Sequence, residues 1–469
     1  MELIISNKAI IKDATYEVFS WCRKSLEFAN PEYAKKADMG LWLGNTEPLI
    51  ILFEVRGSDI IIPYGAVAQF LRAFPKLQNI SHYSFVKAQQ AEYIHYKSHI
   101  SLFSYQEKAL ECTIYRPNGV IVMPCGAGKT QTALELVARL GKRTLWLTHT
   151  YELLKQSLER AKSCFDMDNS NYGMITNGKI DVGKAITFAT VQTMSNMDLE
   201  PYKDYWDCII VDECHKAVGT PKKLMMFYKI VSNLNAYHKY GLTATPKRND
   251  GLEKCMFALL GDKLCEISDS AVSQNTVPIR VWQVQSTIYQ PNMDYIAPLD
   301  GTIDYARFMD DLCSNQERNK DIAQIVNQMN AMGKTCLVLS DRVAHLEILR
   351  KEVGEDYTMQ IYATTGSKKG RAERKECIEG LKNKTIRCLF ATYPLAKEGL
   401  DIPTLDCVVF ATPKKDNISV IQSCGRVGRK TEGKIEGWVI DYVDESFSML
   451  SKWGRIRKRF YKSKKYFCQ

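Results

Sequence analysis

The stretch Val120–Thr130 reads Val-Ile-Val-Met-Pro-Cys-Gly-Ala-Gly-Lys-Thr. Its apolar start predicts a buried strand, its glycines predict a tight turn, and Gln131–Leu140 has the pattern of a helix. In such a strand–turn–helix, the turn and the helix N-terminus present backbone N–H groups to a phosphate chain. The stretch therefore predicts a phosphate-binding loop (P-loop).

The residue types in this loop indicate how it would hold a nucleotide. Lys129 would reach the outer phosphates as a mobile cation, and Thr130 would ligate Mg²⁺. Met123 stands where the P-loop pattern usually has its first glycine, but the Gly-Lys-Thr ending is the specific part of the pattern. The residues expected to bind a nucleoside triphosphate with Mg²⁺ are Pro124, Cys125, Gly126, Ala127, Gly128, Lys129 and Thr130.

A second motif, which is acidic, supplies the residue types that a P-loop needs for hydrolysis. Four apolar residues, Cys208–Val211, predict a buried strand, and Asp212 and Glu213 follow it directly. Asp212 would hold Mg²⁺ through its hydration shell, and Glu213 would orient and deprotonate the attacking water. The alternative is an acidic surface turn, which the upstream P-loop makes the weaker interpretation.

Short apolar runs alternate with helix-like segments from about residue 100 onward. This alternation is typical of parallel sheets covered by helices on both faces, whereas residues before 95 mix strand-like runs with two helix candidates. We therefore predict an α/β fold with two tandem parallel-sheet domains and a small N-terminal α+β domain. The apolar runs are Val120–Met123, Thr144–Thr148, Ala185–Ala189, Cys208–Val211 and Tyr240–Thr243, and then Cys336–Leu339, Tyr357–Tyr362, Cys388–Ala391, Cys407–Phe410 and Gly437–Asp441.

The expected domain boundaries follow from these runs and from the prolines between the two series. Residues 1–95 form the accessory domain, 96–278 the first α/β domain and 316–450 the second. Residues 279–315 are expected to be a linker, and 451–469 a basic, aromatic C-terminal segment.

Composition narrows the class of protein. Hydrophobic residues make up 45% and charged residues 25%, which is ordinary for a globular protein. The chain has no apolar run long enough for a membrane span and no secretory signal, so we expect it in the cytoplasm (of the host cell if a phage encodes it). The 15 cysteines include no Cys-x-x-Cys pair and the chain has 7 histidines, which favours reduced, buried cysteines over disulfides or zinc.

The net charge of +10 is concentrated near the C-terminus. Residues 452–469 contain eight Lys or Arg and no Asp or Glu, interleaved with five aromatic residues. Such a stretch suits contact with a phosphate backbone and with unstacked bases. A solvated helix that packs its aromatics on the protein body is an equal alternative until the other motifs are considered. The basic residues expected to contact nucleic acid are Arg455, Arg457, Lys458 and Arg459.

Several motifs together resemble the superfamily 2 helicases. Asp-Glu-Cys-His at 212–215 resembles their Asp-Glu-x-His box, and their P-loop often lacks the first glycine. Gly241–Pro246 is similar to the Thr-Ala-Thr element, so the resemblance implies that His215, Thr243 and Thr245 couple hydrolysis to strand movement. Ser104-Tyr105-Gln106 resembles the adenine-reading glutamine element, although a solvent-facing glutamine at a helix start would look the same.

The most discriminating match to the family lies in the predicted second α/β domain. Residues 421–429 read Ile-Gln-Ser-Cys-Gly-Arg-Val-Gly-Arg, and the family uses two such arginines on the γ-phosphate across an interdomain cleft. The resemblance implies that Gln422, Arg426 and Arg429 act in catalysis. By the same resemblance, Gly399 and Asp401 would face the nucleotide, and Thr392 would touch the nucleic-acid backbone.

The resemblance covers about residues 100–450 and implies two tandem RecA-like domains that hydrolyse ATP with Mg²⁺ to move on nucleic acid. Thr245–Gly251, the small N-terminal domain and the basic C-terminus look like the XPB and phage UvsW-type branch, which remodels forks and Holliday junctions. We therefore expect an ATP-dependent DNA helicase of recombination, repair or replication, with no membrane partner; a monomer is compatible with the sequence. An RNA helicase, a translocase subunit of a restriction-type system and a nucleic-acid-binding scaffold with an inactive ATPase remain the alternatives.

Overall fold

The computed structural model of the chain divides into two compact units, Met1–Ser268 and Asp269–Gln469. The residues that it describes are 1–83, 92–124, 126–176, 178–244, 246, 250–272, 276–297, 302–354, 358–360, 376, 379–381, 383, 385–393, 402, 404–414, 417–431 and 433–468.

The first unit begins with a small α+β region. Strands β5-β6-β2-β1-β7 form one sheet in this order, which is antiparallel except for the β1–β7 pair, and β3 pairs with β4. The elements are β1 (Glu2–Ile5), β2 (Lys8–Lys12), α1 (Tyr16–Leu26), β3 (Glu27–Ala29), α2 (Pro31–Asp38), β4 (Leu49–Ile51), β5 (Glu54–Arg56), β6 (Asp59–Pro63), α3 (Val67–Ala73) and β7 (Ser81–Tyr83), with 3₁₀ turns at Tyr64–Ala66 and Pro75–Ile80.

Alternation of side chains explains why this sheet has one buried face. Leu3 and Ile5 in β1 and Ala9 and Ile11 in β2 are fully buried, whereas the residues between them are not. Successive side chains of a strand point to opposite faces, so this period of two places one face of the sheet in the core.

A larger, mostly parallel sheet forms the rest of the first unit. Its strand order is β11-β10-β12-β9-β13-β14-β8-β15, and the β10–β11 pair alone is antiparallel among the described pairs. The elements are α4 (Ser104–Glu111), β8 (Asn118–Val122), α5 (Lys129–Leu140), β9 (Thr144–Thr148), α6 (Tyr151–Cys164), β10 (Tyr172–Thr176), β11 (Lys179–Asp181), β12 (Ile186–Thr190), α7 (Val191–Ser195), β13 (Cys208–Val211), α8 (Cys214–Ala217), α9 (Pro221–Asn233), β14 (His238–Thr243), α10 (Glu253–Leu260) and β15 (Lys263–Glu266), with 3₁₀ turns at Asn169–Asn171 and Glu200–Tyr202.

The two regions of the first unit pack closely against each other. A Cβ atom on Gly65 would lie 2.4 Å from the carbonyl carbon of Leu259 in α10, so only glycine fits between the two backbones. Nearby, Asp262 accepts a hydrogen bond from Gln69 (3.0 Å) and pairs with Arg72 (2.7 Å). The accessory region is therefore fixed to the helix that follows β14.

The second unit contains a parallel sheet with the order β18-β19-β17-β20-β21-β16-β22. Apolar clusters lie on both of its faces, one around Leu337 and Val408 and one around Val338 and Val409. The elements are α11 (Asp269–Val272), β16 (Ile279–Ser286), α12 (Met293–Ile296), α13 (Tyr305–Ser314), α14 (Gln316–Ala331), β17 (Cys336–Ser340), α15 (Val343–Val353), β18 (Thr358–Gln360), β19 (Cys388–Thr392), β20 (Cys407–Phe410), α16 (Asn417–Val427), β21 (Gly437–Asp444), α17 (Ser448–Ser463) and β22 (Phe467–Cys468).

Residues 279–315, which we expected to form a linker, do not form one in this structure. Strand β16 pairs with β21 along its whole length, from Ile279 opposite Gly437 to Ser286 opposite Asp444, and helices α12 and α13 follow it. The two prolines within the segment misled the prediction, because both lie beyond β16 and leave its backbone hydrogen bonds intact.

The predicted α/β class with parallel-sheet domains is confirmed. Among the described cysteines none forms a disulfide, and most are buried. Every helix in the described ranges is too short or too polar to cross a bilayer.

Candidate active site

The P-loop follows β8, as the sequence predicts. Gly126 and Gly128 have left-handed backbone conformations (φ +81° and +75°), which favour glycine, and Gly128 is the N-cap of α5. Lys129 and Thr130 begin this helix, so its first N–H groups point into the loop. The local structure is therefore suited to a phosphate chain, and Cys125 alone among the loop residues lies outside the described ones.

The Gln106 side chain is buried and hydrogen-bonds to the P-loop. Its Oε1 accepts a hydrogen bond from the Phe103 N–H (2.9 Å), and its Nε2 donates to the Ala127 carbonyl (2.9 Å). Only 1% of the residue is exposed, and a Cβ on Gly128 would lie 2.4 Å from Nε2. The glutamine that resembles an adenine reader thus positions the loop, a role that the spacing in the sequence did not reveal.

The two carboxylates stand at the carboxyl end of β13, beside the P-loop. Because β13, β14 and β8 are parallel neighbours, the ends of these strands meet at one edge of the sheet. The Lys129 Nζ lies 3.6 Å from Glu213 Oε1, and Asp212 Oδ1 accepts a hydrogen bond from the Glu213 N–H (2.9 Å). The structure therefore brings Lys129 to an acidic pair that is distant from it in sequence.

Glu213 also has an unusual backbone. Its φ of +48° and ψ of +51° are left-handed, which disfavours any residue with a Cβ. Strain of this kind persists where the surrounding structure imposes it, and it clusters at functional sites. The turn directs Glu213 toward Lys129 rather than along the next helix.

Burial and neighbouring charges shift the pKa values of the two carboxyl groups in opposite directions. Burial, together with the Glu213 charge, raises the pKa of Asp212. Burial also acts to raise the pKa of Glu213, but Lys129, His215 and Lys216 outweigh it and hold that pKa below its ordinary value. Glu213 is consequently the carboxylate that stays ionised, as a proton acceptor requires.

His215 and Thr243, two of the residues expected to couple hydrolysis to movement, are in contact. His215 Nδ1 lies 3.0 Å from Thr243 Oγ1 in a buried hydrogen bond and 3.4 Å from Glu213 Oε2. Thr245, the third of these residues, lies outside the described ones. A path of direct contacts therefore runs from the acidic pair to the end of β14.

His149 belongs to the same edge, although the sequence analysis did not single it out. It follows β9, the neighbour of β13, and it is close enough to Glu213 for each to influence the pKa of the other. Burial is the main reason that the pKa of His149 falls to about 3, so the ring is neutral. Its place directly after a buried strand was the signal available in the sequence.

The residues at this edge fit a nucleotide-bound Mg²⁺. Oxygen ligands suit Mg²⁺, which is usually held by one or two carboxylates, substrate phosphates and water. Asp212 and Thr130 supply such oxygens, and a Glu213 oxygen is buried without a hydrogen-bond partner among the described residues. Within the described ranges, no group of three His, Cys, Asp or Glu is placed to hold a metal ion.

In the second unit, Arg426 lies in the last turn of α16 and Arg429 follows the helix; both are half-buried. Arg429 forms a β-bridge with Thr276, and the Val277 N–H donates to the Gly428 carbonyl (2.9 Å). The backbone at Arg429 is thus held by residues just before β16, whereas Arg426 lies on the helix. The Gln422 side chain, Gly399 and Asp401 lie outside the described part.

Two expected nucleic-acid contacts differ from the prediction. Arg457 is 1% exposed, and its guanidinium pairs with Asp441 (2.8 Å), so it is not available to a phosphate here. Thr392 ends β19 and is 6% exposed, and its hydroxyl has no hydrogen-bond partner among the described residues. The sequence could not distinguish Arg457 from its basic neighbours, because its partner is 16 residues away on another element.

Comparison with known families agrees with this geometry. The family model described as the Type III restriction enzyme, res subunit, matches residues 99–248, and that of the helicase conserved C-terminal domain matches residues 317–431. The two matches follow one another in the chain, and each lies within one unit.

Individual relatives of the chain are also named as helicases or translocases. A protein of Acanthamoeba polyphaga mimivirus, whose name calls it an ATP-dependent RNA helicase, is 26% identical over 352 residues, which are 74% of this chain and 64% of the relative. The DNA 3'-5' translocase XPB2 of Sulfurisphaera tokodaii is 34% identical over 166 residues, 35% of each chain. This chain therefore spans less than two thirds of the length of either relative.

Among solved structures, an ATP-dependent Type ISP restriction-modification enzyme bound to DNA is similar in fold. It is 19% identical with a TM-score of 0.54, over 77% of this chain and 30% of that one. With a P-loop, an acidic pair and two arginines on parallel-sheet units that both family models match in order, the chain belongs to the superfamily 2 helicases, with two RecA-like domains, and is related to the XPB helicases.

Proposed function

We propose that the chain is an ATP-driven DNA motor that unwinds or remodels branched DNA, such as forks and Holliday junctions, in recombination, repair or replication. The observation that carries the motor is the approach of Lys129 to Glu213 (3.6 Å) beside Asp212. It unites a phosphate-binding cation, a magnesium-holding carboxylate and a proton acceptor. Such a motor would work in the cytoplasm of the cell or of the phage's host.

Hydrolysis requires this chain to hold the phosphates and to place a water. The P-loop N–H groups and Lys129 would bind the β- and γ-phosphates, and Thr130 and Asp212 would hold Mg²⁺. Bound Mg²⁺ would neutralise charge developing on the transferred phosphoryl group. Glu213, held ionised by Lys129 and its other cationic neighbours, would accept the proton of the attacking water.

The second unit would complete catalysis. We assign Arg426 and Arg429 to the γ-phosphate, where a guanidinium stabilises charge in the transition state, and Gln422 to the same reaction. Gly399 and Asp401 would face the nucleotide. A conformation that is stabilised only while the γ-phosphate is present relaxes after hydrolysis, and repeated cycles would move the chain along its strand.

DNA is favoured over RNA as the track by the relation to XPB, since the archaeal relative is named a DNA translocase. Branched DNA is favoured by the Thr245–Gly251 motif and the basic C-terminus, which look like phage helicases that remodel junctions. Residues 1–95 would touch duplex or junction arms, and Arg455, Lys458 and Arg459 would touch the backbone.

An ATPase assay with forked, linear and single-stranded DNA and with RNA tests the proposal. We expect forked DNA to give the largest stimulation, and Lys129→Ala to abolish hydrolysis while DNA binding stays mostly intact. Hydrolysis that survives in the purified variant would remove the P-loop assignment. Equal stimulation by linear and forked DNA would remove the preference for branches.

Two other functions have specific support. The mimivirus relative is named an RNA helicase, so stimulation by RNA above every DNA would favour that activity. The res-subunit family match and the fold of the restriction-modification enzyme favour a restriction-type translocase. Against this alternative, the chain contains no Pro-Asp pair, so the common Pro-Asp…Asp/Glu-x-Lys nuclease motif is missing in that form.

A further inference from the structure

Helix α17 separates its basic residues onto two faces. One face holds Arg457, which is buried, and the other holds Lys452, Arg455, Arg459 and Lys462, which are all exposed. The sequence alone shows an undivided run of positive charge, and the fold gives the two faces different roles.

Arg457 anchors the helix to the sheet. Its Nε lies 2.9 Å from both Asp441 oxygens, and its Nη1 donates to the Lys414 carbonyl (2.7 Å). Asp441 is fully buried and also accepts hydrogen bonds from Gln283 (2.9 Å) and Tyr461 (3.0 Å). A buried carboxylate with three donors gives the helix a single fixed position.

Close packing strengthens this anchor. A Cβ on Gly454 would lie 2.5 Å from Val443 of β21, so the helix backbone sits directly on the strand. Phe460 and Tyr461 join the apolar cluster beneath the helix, and Trp453 packs against the neighbouring one. The aromatic residues of α17 are therefore committed to the core.

The exposed residues form a stripe, which we call the basic stripe: Lys452, Arg455, Arg459 and Lys462. Spacings of three, four and three residues keep all four on one side of a helix. Ten residues of helix are about 15 Å long, so the stripe presents one charge every ~5 Å. None of the four has an acidic partner within the described ranges, unlike Lys464, which pairs with Asp269 (2.5 Å).

We propose that the basic stripe binds the phosphate backbone of the DNA on which the motor acts, and that the anchored helix α17 holds the four cations in a fixed position. This inference rests on the proposed function and deepens it by naming the contact surface. A straight row of unpaired cations complements a polyanion, whose strands each carry one charge per ~3.4 Å. Because the aromatic side chains of the helix are packed inward, the stripe reads the backbone and not the bases, and its contacts are independent of sequence.

Salt dependence measures these contacts directly. Each phosphate contact contributes about 0.9 to the slope of log K against log[salt] for duplex DNA. We expect the variant with Lys452→Gln, Arg455→Gln, Arg459→Gln and Lys462→Gln to bind a duplex more weakly and to lower the slope by about 3 to 4. Its melting temperature should equal that of the wild type, because all four side chains are exposed and none has an acidic partner within the described ranges.

Two control variants make the test specific. Removing four scattered exposed charges, with Lys35→Gln, Lys155→Gln, Lys179→Gln and Lys351→Gln, takes away the same net charge and should change the slope by less than about 1. Asp441→Asn with Arg457→Gln neutralises the buried pair that joins the same helix to β21, and it should leave the slope unchanged in a folded protein, as judged by its melting temperature.

Three outcomes would overturn the proposal. The slope of the stripe variant could equal that of the wild type; both four-charge variants could lower it equally; or the stripe variant could bind DNA normally and lose binding to phosphatidylglycerol vesicles or an acidic peptide. Each leaves the proposed motor intact if the wild type still hydrolyses ATP with DNA stimulation. Absence of that stimulation in the wild type would instead contradict the proposed function.

Discussion

The two units differ in how closely their buried charged side chains are paired. In the first, Lys129, Asp212 and Glu213 meet at a strand edge, where the lysine is 3.6 Å from one carboxylate and the backbone of Glu213 is left-handed. In the second, Arg318 and Asp444 pair at 2.8 Å with both side chains fully buried, and Arg318 Nη2 also donates to the Ala411 carbonyl (2.8 Å). The first arrangement is loose and strained. In the second, Arg318 binds both oxygens of Asp444, and of its nitrogens Nη1 has no hydrogen-bond partner among the described residues.

The difference indicates which charges are there for chemistry. Two adjacent buried carboxyl groups repel each other, and one lysine at 3.6 Å compensates them incompletely, so this cluster favours a ligand that brings a cation and phosphates. The Arg318–Asp444 pair leaves little for a ligand to improve. Neutralising a charge in the first unit should therefore affect activity, whereas doing so in the second should affect stability.

The largest expected effect is on catalysis. Glu213→Gln removes the proton acceptor and the repulsion with Asp212, so we expect kcat to fall by about 10² to 10⁴-fold. ATP binding, measured with a fluorescent analogue, should remain, and the melting temperature should not fall. Glu200→Gln, which neutralises an exposed glutamate of the same unit, should leave kcat unchanged. A Glu213→Gln protein that is less stable yet still active would reverse the comparison.

The matching change in the second unit should act on folding. Arg318→Met leaves Asp444 buried without its partner, and breaking such a pair costs about 3–5 kcal/mol. Urea unfolding followed by circular dichroism would measure this loss in the free energy of unfolding.

The double variant Arg318→Met with Asp444→Leu tests the interpretation of the pair. Replacing both partners by apolar groups removes the unpaired charge, so most of the lost stability should return. A double variant as unstable as the single one would show that the hydrogen bond to the Ala411 carbonyl, and not the ion pair, is the main contribution.

The same contrast explains what could be predicted from the sequence. Lys129, Asp212 and Glu213 could be assigned because local patterns specify them: a glycine turn before a helix, and carboxylates after an apolar strand. Parallel strands then bring their ends together in any arrangement of this class. The predicted strands from Val120 to Thr243 needed no tertiary information for the same reason.

Long-range partners account for what the sequence did not reveal. Nothing near Arg457 identifies Asp441 as its partner, and nothing near Gln106 indicates the Ala127 carbonyl. Strand β16 was taken for a linker because its pairing with β21 joins residues that are 158 positions apart. Each of these contacts depends on the packing of whole elements and not on a local pattern.

A smaller effect should depend on pH. His345 of the second unit is buried, with Nδ1 2.9 Å from Ser340 Oγ and Nε2 2.9 Å from Asn319 Oδ1, so both ring nitrogens are used by the neutral form. Burial, with the Arg318 charge, lowers its pKa to about 3. The folded state therefore binds fewer protons than the unfolded state, whose histidine has a pKa near ~6.5, and stability is complete above that pH and lost as the pH falls through it. We expect His345 to account for a loss of about 2 kcal/mol in the free energy of unfolding between pH 7 and pH 5.

Urea unfolding at both pH values tests this expectation. The free energy of unfolding should fall less in His345→Gln than in the wild type, whereas His82→Gln, at an exposed site of the first unit, should behave as the wild type does. An equal loss in all three proteins would assign the acid sensitivity to other groups and remove His345 from the set of satisfied buried contacts that distinguishes the second unit.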